Sequence, residues 1–242
     1  MKKVLVISGH TDLATSVANK TILDTIGQYL PETEIVKLDT LYPDFKIDVD
    51  AEQQRLLKAD IIVLQFPIFW YSAPSILERW MEETFRHGFS HGSTGNKLKG
   101  KKMILSFTTG APQEMYSHKG AMGYTIEEFL PCYKATCNLC QMEFAGYIYT
   151  GGVSYGTRTT PELIEQQKVK SVEHAKKPAR HLHAAHHRDR RKFHLSQCLD
   201  AKQPDQDQVQ CCKYAAGKSD RFFRRADMFF VIRHVFFQKK YD

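Results

Sequence analysis

Apolar positions in the first 177 residues fall into two rhythms. Short runs at Lys3–Ser8, Glu34–Leu38, Ile61–Gln65, Lys102–Phe107 and Glu143–Thr150 read as strands. The nearly unbroken apolar runs among them, such as Ile61-Ile62-Val63-Leu64, suit parallel strands covered on both faces. Between the strands the period is helical. Over Thr15–Leu30 the residues Val17, Ala18, Ile22, Leu23, Ile26 and Leu30 recur along one face, and over Ser75–Phe85 so do Ile76, Leu77, Trp80, Met81 and Phe85. Glu52–Lys58 and Thr125–Tyr133 predict shorter helices. Thr160-Pro161-Glu162 opens a final one, with an N-cap residue and a Pro at the first helical position. Five strands alternating with helices predict an α/β fold, a five-stranded parallel sheet wound in both directions with helices on both faces.

The rhythm stops after Lys177. Pro178 ends the helical pattern. Arg180–His194 holds five histidines and five Lys+Arg. The chain therefore divides into a domain over 1–177 and a basic, His-rich tail over 178–242 that reads as disordered or loosely packed. A translated out-of-frame extension would have this character, and a chain cut near residue 180 is then expected to keep its stability and activity. The tail carries the whole net charge of +7, because the first 177 residues are charge-balanced. The body thus gives no basis for a nucleic-acid partner. No apolar run reaches a membrane-spanning length, and Val4–Ile7 is too short for the core of a signal peptide. The expectation is a cytoplasmic protein with reduced cysteines.

Candidate chemistry gathers after three strands. Gln65-Phe66-Pro67-Ile68-Phe69-Trp70-Tyr71 is an aromatic-rich turn at the carboxyl end of the third strand, where open α/β sheets bind ligands. It fits a flat aromatic cofactor, or else a loop that packs its rings on a neighbouring helix. After the first strand, Gly9–Lys20 brings hydroxyls and N–H groups to a helix start, which is either an anion site or plain capping by Thr15 or Ser16. It is neither Gly-x-Gly-x-x-Gly nor a Walker loop, and Gly95–Lys102 resembles the latter only in composition. Thr108-Thr109-Gly110-Ala111 follows the fourth strand, with Tyr116 soon after. Cys137 and Cys140 have CxxC spacing, but they fall between a helix and a strand, where core or surface thiols are the expectation. No metal ligand set is expected in the body; His183 and His187 of the tail suit adventitious metal only.

Together these loops carry a resemblance. The segments His10 with Ser16-Val17-Ala18-Asn19-Lys20, Gln65–Trp70, Pro74–Trp80, Thr108-Thr109-Gly110 with Met115-Tyr116, Gly123–Glu128 and Gly151-Gly152 resemble the flavodoxin-like NAD(P)H:quinone oxidoreductases. Within them, the chain is most similar to the small ancillary oxidoreductases of glutathione-gated potassium-efflux systems. The resemblance implies a bound flavin, FMN or FAD, a ping-pong two-electron transfer from NAD(P)H to a quinone-like acceptor, and a homodimer. His10, Ser16, Val17, Ala18 and Asn19 would hold the phosphate; Pro67, Ile68, Phe69 and Trp70 would line the ring; Thr108, Thr109, Gly110, Ala111 and Tyr116 would meet its polar edge, with Tyr116 the catalytic hydroxyl. Some family members place a histidine six residues after that tyrosine; here the position is Met122. The alternatives it leaves are a regulatory subunit of a membrane transporter and an electron-carrier flavodoxin.

Overall fold

Five strands, β1 (Val4–Ser8), β2 (Glu34–Lys37), β3 (Ile61–Pro67), β4 (Lys102–Thr108) and β5 (Glu143–Thr150), lie parallel in the order β2-β1-β3-β4-β5. The computed structural model describes residues 2–177, and the expectations for 178–242 lie outside the described residues. Helices α1 (Val17–Tyr29), α2 (Leu38–Leu41), α3 (Val49–Lys58), α4 (Ser75–Thr84) and α5 (Pro131–Leu139) follow in the connections. A sixth, α6, spans 161–177. This is the flavodoxin-like sheet that the alternating pattern predicts.

Each sheet face has its own core. Leu5, Ile7, Leu64, Phe66, Leu105 and Phe107 bury against Leu56 of α3, Leu77 and Trp80 of α4, and Tyr133 and Cys137 of α5. Val6, Val63, Ile104 and Ile148 bury against Ile22, Leu23 and Ile26 of α1 and Ala175 of α6. Beneath α4 lies one buried carboxylate. Glu52 accepts from the Tyr42 hydroxyl at 2.7 Å and from Trp80 Nε1 at 2.9 Å, and it pairs with Arg55. A charge buried in this way is tolerated only because its oxygens are satisfied.

Several boundaries differ from the sequence reading, each for a local reason. β3 and β4 run on to Pro67 and Thr108, because their pairing continues through Phe66↔Phe107 and Pro67↔Thr108. Phe66 is therefore core, stacked on Phe107 at 5.8 Å, and not part of a surface turn. α3 starts at Val49, not Glu52, since the Asp48 carboxylate caps the Ala51 N–H. The helix expected over Thr125–Tyr133 is two pieces. Pro131 has no N–H to continue a ladder, so a 3-10 turn (Ile126–Phe129) ends and α5 begins with Pro131 at its first position. α2, a single turn, has no sequence signal.

One bulge bears on the site. Between Met103↔Phe144 and Leu105↔Tyr147 β5 holds one residue too many, and Gly146 takes φ +113° there. Strict alternation from Phe144 would point Tyr147 and Tyr149 to the opposite face. The extra residue returns both to the side of Phe107, whose ring lies 5.7 Å from Tyr147 and 5.4 Å from Tyr149.

Candidate functional site

The loops that follow β1, β3 and β4 leave adjacent strand ends, and buried polar side chains tie them together. Ser16 is the N-cap of α1, accepting the Asn19 N–H at 3.1 Å. Asn19 is turned inward. Its Oδ1 accepts from Gln65 Nε2 at 2.6 Å, and its Nδ2 lies 3.3 Å from Ser16 Oγ and 3.4 Å from Thr108 Oγ1. Asn19 and Thr108, both expected to touch cofactor, thus spend their side chains joining α1, β3 and β4. Capping and anion binding are not alternatives here. The Ser16 cap satisfies one first-turn donor, and helix geometry leaves the Val17 and Ala18 N–H groups without an intrahelical acceptor.

His10 stands over this loop, half-buried, its ring edge-on to Phe69 at 5.9 Å. Its Nδ1 accepts the Asp12 N–H at 3.0 Å, so the neutral ring carries its proton on Nε2. Burial holds the imidazole below its ordinary pKa, and Arg158 acts in the same direction against Asp39 and Asp12. His10 therefore offers an N–H and no charge at neutral pH.

The aromatic turn is a tight hairpin. Phe69 and Ser72 exchange both backbone hydrogen bonds at 3.1 Å, and the two residues between them, Trp70 and Tyr71, have φ of +50° and +66°. Positive φ at both central positions is the primed-turn geometry that Asn-Gly or Gly-Gly ordinarily supplies. Two large aromatics occupy it here, at a cost on the order of 1 kcal/mol each. The strain displays them: Trp70 is 93% exposed, while Tyr71 stacks on Phe129 at 5.4 Å. Pro67 is buried at the end of β3, and Ile68, partly buried, ties its N–H to Thr108 O at 2.8 Å.

Beyond β4 a cluster of hydroxyls forms. Thr109 Oγ1 donates to Ala111 O at 2.8 Å and takes a 2.8 Å hydrogen bond from Tyr149 Oη. Tyr116 packs edge-on to Tyr149 and to Phe129, at 6.3 Å and 6.2 Å. Burial raises the pKa of Tyr116 and of Tyr149, with the Thr109 hydroxyl opposing in both, so both phenols stay protonated and able to donate. The Gly110 and Ala111 N–H groups have no acceptor among the described residues. The sequence reading missed Tyr149, because only the Gly146 bulge turns it to this side. It also missed Arg158, which donates from Nη1 to Thr15 O at 2.8 Å across 143 residues of chain. Nothing in the local sequence Gly156-Thr157-Arg158-Thr159 signals that contact. His118 Nδ1 lies 3.7 Å from the Glu128 carboxylate.

Cys137 and Cys140 are buried at the end of α5. Burial pushes the Cys137 thiol up to about 12 and raises Cys140 as well, the opposite of a reactive thiolate pair. They are core thiols.

A family profile described as "flavodoxin-like fold" matches residues 2–175. The uncharacterized NAD(P)H oxidoreductase YrkL of Bacillus subtilis is 40% identical over 144 residues, covering 59% of this chain and 81% of YrkL. The glutathione-regulated potassium-efflux system ancillary protein KefG of Serratia proteamaculans is 33% identical over 179 residues, covering 74% of this chain and 96% of KefG. Among solved structures, the general stress protein 14 of Treponema denticola, in complex with FMN, superposes with a TM-score of 0.64 at 29% identity, covering 71% of this chain and 95% of that one. Sheet order, loop positions and these likenesses agree, and the chain belongs to the flavodoxin-like fold family.

Proposed function

We propose that the chain is an FMN-dependent NAD(P)H oxidoreductase acting on a quinone-like acceptor. The observation that carries this is the Trp70-Tyr71 turn, where backbone strain is retained at a strand end to hold an aromatic side chain out of the core. The donor set fits FMN. Uncommitted first-turn N–H groups of Val17 and Ala18 suit a phosphate, a displayed aromatic turn suits a flat ring, and the Gly110 and Ala111 N–H groups with the Tyr116 hydroxyl suit a ring edge that gains negative charge. The FMN complex of the Treponema protein and the oxidoreductase name of YrkL support the same reading. FMN is preferred to FAD on that likeness.

When bound, FMN would supply the two-electron chemistry of a ping-pong cycle between NAD(P)H and the acceptor. The chain's own residues would bind, orient and stabilise charge. His10 Nε2–H, the Ser16 hydroxyl and the start of α1 would fix the phosphate. Pro67, Ile68, Phe69 and Trp70 would border the ring. Tyr116 would keep its proton and donate to developing negative charge, with Thr109 and Tyr149 setting its surroundings. Asn19 and Thr108 would act indirectly, by holding the three loops in register. Loss of one preorganised donor of this kind costs about 3–4 kcal/mol in the transition state, so Tyr116→Phe is expected to lower turnover on the order of 100-fold or more while FMN still binds.

A homodimer is part of this proposal. Phe69, Trp70, Tyr71 and Tyr124 are exposed on neighbouring segments linked through Phe129, and a second copy would cover them. No helix among the described residues is long and apolar enough to cross a membrane. The likeness to KefG favours one second reading, an ancillary subunit docked on a potassium-efflux transporter. Steady NAD(P)H consumption by the FMN-loaded chain with a small benzoquinone tests the enzyme. FMN binding without turnover would leave the ancillary role or an electron carrier.

A further inference from the structure

We propose that Arg158 is the fixed counter-charge for the flavin phosphate at the start of α1. The proposal rests on the FMN reading and adds a residue that neither the motifs nor the loop pattern point to. Three contacts hold the guanidinium. Nη1 donates to Thr15 O at 2.8 Å, one residue before the Ser16 cap, and Nε donates to Gln167 Oε1 at 3.3 Å. The Arg158 Cζ lies 4.7 Å above the Tyr155 ring. Gln167 itself is buried on α6, and its Nε2 donates to Ser154 O and Thr157 Oγ1, both at 2.8 Å. A buried amide thus braces the whole 154–158 turn and aims the arginine along the mouth of the β1–α1 loop.

These contacts use one proton on Nε and one on Nη1, and a guanidinium has five. No carboxylate pairs with Arg158 among the described residues. The cation is half-buried, and burial depresses its pKa, so it bears a desolvation cost with no anion to offset it. The loop it borders needs positive charge. Asp12 Oδ1 accepts the Thr15 N–H at 3.4 Å and Asp39 Oδ2 accepts the Leu13 N–H at 2.7 Å, which places two carboxylates on the same loop. The start of α1 offers only about half a positive charge, and His10 is neutral. A full cation would add to what the start of α1 offers a phosphate monoester dianion, and a planar fork with free N–H groups suits its oxygens.

Titration of the apoprotein with FMN and with riboflavin, which lacks the phosphate, tests this. Arg158→Gln is expected to weaken FMN binding about 10- to 100-fold, the usual worth of a charge-assisted hydrogen bond, and to change riboflavin binding less than about twofold. Arg158→Lys should recover part of the loss, and the salt dependence of FMN binding should flatten in Arg158→Gln alone. Equal weakening for FMN and riboflavin would make Arg158 a brace for the Thr15 loop and overturn the proposal. FMN affinity unchanged in Arg158→Gln would overturn it too, while leaving the flavin reading intact. A wild-type chain that binds no FMN would remove both.

Discussion

Trp70 and Trp80 show how ten residues of chain separate display from support. Trp70, strained and exposed at a hairpin tip, contributes little to the core, whereas Trp80 is fully buried with its Nε1 on Glu52. Trp70→Ala is expected to weaken FMN binding by about tenfold, the worth of a lost stacking partner, with little change in melting temperature. A binding isotherm that does not move would show that Trp70 does not meet the ring. His174 makes a different prediction. Its Nε2 lies 2.9 Å from Ser106 Oγ and its Nδ1 2.9 Å from Thr150 Oγ1, pinning α6 to β4 and β5. Burial, helped by Lys177, pushes its pKa down from 6.5 to about 3. The folded ring is then neutral where the unfolded ring takes up a proton. This contribution to stability is full above about pH 6.5 and falls as the pH drops toward 3, by at most about 1.4 kcal/mol per unit. Urea unfolding at several pH values checks it, and His174→Gln should flatten that slope. None of this was legible beforehand, since a lone histidine in a helical pattern carries no mark of what it faces.

At the scale of elements, periodicity read well wherever one face alone is buried or both are. β1, β3, β4, β5, α1 and α4 lie within a few residues of their apolar patterns, and β3 and β4 merely run on to meet their neighbours. Patterns failed where a backbone detail outranks hydrophobicity. Pro131 cut one expected helix into a 3-10 turn and α5, and Asp48 started α3 early. The Gly146 bulge mattered most, because it moved Tyr149 to the Thr109 side. α4 joins the aromatic turn to the core, so its anchor can be tested alone. Trp80→Ala is expected to cost about 3–5 kcal/mol, as large-to-small core changes do, with the freed Glu52 carboxylate adding to the loss. A variant that melts like the parent would contradict the packing described for α4.

For the whole molecule, the fold and the positions of all three loops followed from the sequence, and so did the aromatic turn. Which side chains reach outward did not. Asn19 and Thr108 have the residue types of cofactor ligands, yet they face each other beneath the surface. The proposed dimer makes a prediction at this scale. Sedimentation of the FMN-loaded chain should show two copies, joined over the 65–71 and 124–133 segments, and a fully active monomer at high dilution would exclude a shared acceptor pocket. All of these expectations depend on the flavin. The most direct measurement is fluorescence titration of the apoprotein with FMN. The account predicts saturable quenching with one FMN per chain, and FMN that keeps its full fluorescence at excess protein would contradict it.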